Sequence, residues 1–80
     1  MERTTIDTTV RKYLARALDI DPTGIDTSLS MKDVGANSLD IVEVVSSTMR
    51  ELKVRAPREA LDQVKTIDAF VDLLHERAQG

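Results

Sequence analysis

Eighty residues with a net charge of −3, no cysteine and one histidine describe one small domain, residues 1–80, without disulfides, thiolate metal sites or a nucleophilic thiol of its own. A domain this small buries only about 60% of the surface of its unfolded chain, which leaves little room for a deep active site. No apolar run approaches the roughly 20 residues that span a bilayer, and Met1-Glu2-Arg3-Thr4-Thr5 lacks the apolar core of a signal peptide, so a cytoplasmic setting is expected.

Ile6, Val10, Tyr13, Leu14, Ala17 and Leu18 fall on one face of a 3.6-residue period and predict a first helix from about Thr5 to Leu18. Thr4 or Thr5 is the expected cap, and Asp21-Pro22-Thr23-Gly24 the expected stop, with glycine supplying a left-handed turn. The next stretch, Asp19 to Asn37, has no period and reads as an ordered loop. Ile25, Leu29, Met31 and Val34 are its expected anchors, with a short helical turn near Leu29 to Val34. Its carboxylates Asp19, Asp21, Asp26 and Asp33 face one cation, Lys32, and their spacing does not follow a calcium loop, so no metal site is expected.

Asn37 and Ser38 are both good N-caps for a second helix, 38–52, with Asp40 or Glu43 complementing the dipole in its first turn. Ile41, Val44, Val45, Thr48 and Leu52 form one stripe. Leu39, Val42 and Met49 form a second apolar strip, which one helix of so small a domain rarely buries as well, so it is read as a surface for a partner or a cargo. Pro57 suits the first position of a short helix, 58–62, and Thr66 caps a last helix, 66–76, carrying Ile67, Phe70, Val71 and Leu74. Fraying is expected from His75 to Gly80. Lys53 to Lys65 is net basic, but one short basic stretch and two aromatics, Tyr13 and Phe70, do not make a nucleic-acid surface. Strand signals are weak, and the predicted fold is an all-α bundle of three main helices and one short one, with a long loop between the first two.

Ser38 follows the turn Gly35-Ala36-Asn37 at the mouth of this second helix. It reads either as a plain cap or as the bearer of a phosphate ester, which the free N–H groups and positive dipole end of a helix N-terminus would favour. Nucleophilic catalysis is set aside: Asp40 stands where a nucleophile elbow needs its second glycine, and the single His75 lies near the end of the last helix. His75 reads as a charge complementing that helix end, and no catalytic residue is assigned.

The run Gly35-Ala36-Asn37-Ser38-Leu39-Asp40-Ile41-Val42-Glu43-Val44-Val45, with Arg55-Ala56-Pro57 and Lys65-Thr66-Ile67 after it, resembles the acyl carrier proteins. The resemblance implies a non-catalytic, monomeric carrier whose Ser38 receives 4′-phosphopantetheine from coenzyme A through a phosphopantetheinyl transferase that needs magnesium. Acyl groups would then be held as thioesters and passed to acyltransferases, ketosynthases or other pathway enzymes, with no nucleic acid or membrane involved. It also places Asn37, Leu39, Val42, Glu43, Ser46, Met49 and Arg50 on the face that meets partners. Met49 and Arg50 stand where fatty-acid carriers have acidic residues, and Asn37 stands where the family usually has aspartate. Gly-Ala-Asn-Ser is most similar to discrete carriers of polyketide pathways. A fatty-acid carrier, a peptidyl or aminoacyl carrier, and an unmodified helical interaction module in which Ser38 only caps are the alternatives.

Overall fold

The computed structural model describes residues 1–79. Its helices are α1 (Arg3–Leu18), α2 (Ser38–Leu52), α3 (Arg58–Asp62) and α4 (Ile67–Gln79), with a 3₁₀ turn at Pro22–Gly24 and no strand among the described residues. The bundle is all-α, and α1 packs against both α2 and α4. Its centre is Ile6, Val10 and Leu14 from α1, Val44 and Thr48 from α2, and Ile67, Phe70, Val71 and Leu74 from α4, all essentially inaccessible to water. These residues recur at three and four positions along each helix, so each helix turns one stripe inward. Ile41, Val45 and Leu52 flank that centre half-buried, as do Tyr13 and Leu18, whereas Ala17 is exposed.

Several helix ends differ from the expectation. α1 starts at Arg3, and its cap is Glu2 without a side-chain hydrogen bond, so Thr4 and Thr5 lie inside the helix. The added turn is tied across the bundle: Arg3 Nε donates to Asp72 Oδ1 at 2.6 Å and Arg3 Nη2 to Asp68 Oδ1 at 3.4 Å. α1 ends on Asp19, in the left-handed region at φ 55°, a conformation a short polar side chain tolerates; Gly24 does not have a positive φ. Pro57 is the cap of α3, and Arg58 is its first helical residue. α4 runs three residues past position 76 to Gln79, with Ala78 packed on the core and Gln79 Nε2 at 3.0 Å from His75 Nε2; Gly80 lies outside the described residues. Thr66 caps α4 as expected, its Oγ1 accepting from Ala69 N–H at 3.0 Å.

The long loop is held more by its backbone than by its apolar side chains. Ile25 and Met31 are buried and Val34 is half-buried, but Leu29 is exposed. The contribution of Leu29 is its carbonyl, which accepts from Ile67 N–H, while the Thr27 carbonyl accepts from Asp68 N–H, both at 2.9 Å. Two of the first-turn donors of α4, which a helix cannot satisfy internally, are thereby paired. Arg11 Nη1 donates to the carbonyls of Pro22 and Ile25 and fixes the other end of the loop on α1. The short helical turn expected near Leu29 to Val34 falls at residues 31–35, a hydrogen-bonded turn in which Val34 N–H bonds to the Ser30 carbonyl four residues back.

Candidate functional site

Gly35 sits at φ 113°, a backbone conformation that side-chain-bearing residues rarely adopt, and turns the loop into α2. Ala36 follows it into the core, 3% exposed, its N–H bonded to the Met31 carbonyl. Asn37 then caps α2. Its Oδ1 accepts from Asp40 N–H at 2.8 Å, and Asp40 Oδ2 accepts from Asn37 N–H at 3.2 Å, a reciprocal capping box. Asp40 is therefore the acidic residue of the first turn, whereas Glu43 accepts from Ser47 Oγ at 3.0 Å one turn on.

With Asn37 as the cap, Ser38 is the first helical residue and has no capping duty. Among the chain's five serines it alone is exposed with a hydroxyl free of protein hydrogen bonds. Ser28 Oγ donates to Asp26, Ser30 Oγ accepts from Asp33 N–H, Ser47 is buried and donates to Glu43, and Ser46 is half-buried in mid-helix. The N–H groups of Ser38 and Leu39, in the first turn of α2, have no carbonyl four residues back within the helix. A phosphate ester on this hydroxyl would remain in water beside the positive end of α2.

Of the other residues assigned to partner contact, Leu39 is 81% and Val42 62% exposed, and Asn37, Glu43 and Arg50 are exposed. Met49 departs from the expected strip: it is half-buried against the core and lines a groove with Val42 and Ser46. The fully exposed apolar surface of α2 is thus Leu39 and Val42, one turn apart.

Sequence reasoning missed a polar junction between α1 and α2. Lys12 Nζ and Tyr13 Oη donate to the same oxygen of Glu51, at 2.5 and 2.6 Å. The lysine first and the phenol second hold the Glu51 carboxyl below its ordinary pKa, and donation to Glu51 raises that of Tyr13. Only the packing of α1 on α2 brings these groups together, and no local pattern announces it. No cluster of His, Cys, Asp or Glu among the described residues has the makings of a metal site.

The start of α2 thus displays an exposed, unengaged hydroxyl on its first helical residue, where a covalently attached group would face solvent. The family described as "Phosphopantetheine attachment site" matches residues 8–74 of this chain. The acyl carrier protein of Phenylobacterium zucineum (strain HLK1) is 35% identical over 69 residues, covering 85% of this chain and 87% of that protein. The chain belongs to the phosphopantetheine-carrying acyl carrier protein family. Its prosthetic group is 4′-phosphopantetheine, whose terminal thiol supplies the thioester chemistry that a chain without cysteine lacks. The exposed hydroxyl and free N–H groups at the start of α2 fit the phosphate end of that group.

Proposed function

We propose that Ser38 is the residue that bears 4′-phosphopantetheine, and that the chain carries acyl thioesters for a polyketide or related secondary pathway in the cytoplasm. The observation that carries the attachment is the division of labour at the start of α2: Asn37 caps, and the Ser38 hydroxyl is left exposed and unbonded. A cap-only role for Ser38 loses its basis on the same ground. The pathway is favoured by Met49, Arg50 and a net charge of only −3, which give enzymes that grip strongly acidic carriers less to hold. In this reading a phosphopantetheinyl transferase, acyltransferases and ketosynthases meet Asn37, Leu39, Val42, Glu43, Ser46, Met49 and Arg50, and catalysis stays with those enzymes. Incubation with coenzyme A, magnesium and a broad-specificity transferase is expected to add one phosphopantetheine mass to the wild type and none to Ser38→Ala. A wild type left unmodified by several such transferases rules the proposal out. Loading of the modified protein by a malonyl transferase supports acyl cargo, whereas loading only by an adenylating enzyme makes it an aminoacyl carrier.

A further inference from the structure

Beside α2 runs an open groove of about 650 Å³. Its apolar lining includes Ile41, Val45 and Met49 of α2, Leu61 of α3, Val64 and Phe70. The three α2 residues are spaced by four, so they form a continuous ridge that runs about 12 Å along the helix. The polar lining is uneven in charge: Lys32, Arg58 and Lys65 stand against one carboxylate, Asp62. All four are exposed, and none of the three cations lies within ion-pair distance of a carboxylate among the described residues. A chain of net negative charge has thus placed a surplus of free positive charge around this apolar groove.

Such a lining suits a ligand with two characters. A methyl-ended acyl chain gains only from the apolar floor. A chain ending in a carboxylate can lay its methylenes on the same floor while its charge stays in water beside the cations, where it avoids the cost of burial. We infer that the groove receives acyl cargo ending in a carboxylate, the half-thioester of a dicarboxylic acid, and that Lys32, Arg58 and Lys65 select it over a methyl-ended chain of equal length. This rests on attachment at Ser38. Ile41 and Val42, at the near end of the groove, lie about one turn from that residue, so tethered cargo meets it at high effective concentration and weak charge contacts suffice.

The test compares two six-carbon cargoes, adipyl and hexanoyl, loaded from the corresponding coenzyme A thioesters by a transferase with magnesium. Peptide mass spectrometry first locates the adduct. An adduct absent from Ser38 overturns the attachment and this inference together. With the adduct on Ser38, adipyl is expected to shift the NMR signals of Val45, Leu61 and Val64 more than hexanoyl does. It should also slow thioester cleavage by hydroxylamine roughly two- to fivefold relative to hexanoyl, the size of effect exposed charge pairs give. The double variant Arg58→Glu, Lys65→Glu should erase that difference, and about 0.5 M salt should narrow it in the wild type without any mutation. Equal or greater shifts and protection with hexanoyl, or a preference unmoved by both charge reversal and salt, overturns the selection while leaving the attachment standing.

Discussion

At the residue scale, the sequence leaves the cap of α2 on either Asn37 or Ser38, and the structure gives it to Asn37. The Asn37 amide closes the capping box with Asp40, so Asn37→Ala is expected to lower the unfolding free energy by about 0.5–2 kcal/mol while the serine hydroxyl remains. Ser38→Ala is expected to change stability by no more than about 0.5 kcal/mol, because an exposed side chain without partners is removed. Urea titrations of both variants, followed by far-ultraviolet circular dichroism, separate the two roles. A large loss in Ser38→Ala would return the cap to the serine. Thr48 makes a second residue-scale case. It is wholly buried in α2, and its Oγ1 has no hydrogen-bond partner, so it bears a desolvation cost with no return. Thr48→Val keeps the shape and removes the hydroxyl, and should stabilise the protein by about 1 kcal/mol, a rise in Tm of roughly 4–8 °C for a domain of this size.

At the element scale, the loop between α1 and α2 is an ordered connector pinned by hydrogen bonds that the sequence hides. Asp21 accepts from the Thr23 hydroxyl at 2.7 Å and backbone N–H at 2.8 Å, and Asp26 accepts from the Ser28 hydroxyl at 2.6 Å and backbone N–H at 3.0 Å. In each, the hydroxyl first and the N–H second hold the carboxyl below its ordinary pKa, and Lys12 and Tyr13 do the same for Glu51 at the α1–α2 junction. A pKa lower in the folded than in the unfolded state contributes stability that is fully present above the ordinary carboxylate range. That contribution is lost as pH falls through the lowered folded values. Thermal melts should therefore hold level from neutral pH down to about 5 and decline below about 4, as pH falls through and below the ordinary carboxylate range of the unfolded chain. The double variant Asp21→Asn, Asp26→Asn should decline less steeply, and an unchanged slope would mean that the loop carboxylates play no part in the acid response.

At the scale of the whole molecule, the centre is a single layer of α1, α2 and α4 side chains with little redundancy. A domain of eighty residues has about 4–12 kcal/mol of stability in total. Leu14 is wholly inaccessible at that centre, so Leu14→Ala should cost about 2–5 kcal/mol, a large part of the whole, and move the urea midpoint sharply downward. The same smallness suits the proposed attachment at a helix end rather than chemistry in a deep cleft. A bundle of this size can hold a helix N-terminus and a shallow groove steady, and the thioester chemistry comes with the prosthetic group.

The pattern of apolar residues was enough to identify an all-α chain with α2 and α3 at their observed limits, and the Gly35 to Asp40 segment was enough to place the turn and capping residues that start α2. Those features are local: helical period, capping chemistry and a positive-φ glycine act over a few residues and leave their signature in the sequence. Tertiary structure decided the rest. It moved Leu29 from buried anchor to backbone acceptor, put Met49 in a groove wall, joined Lys12 and Tyr13 to Glu51, and brought Lys32, Arg58 and Lys65 around one apolar groove. These pairings join residues far apart in the chain, and their distances are set by how the helices pack rather than by any spacing a sequence displays.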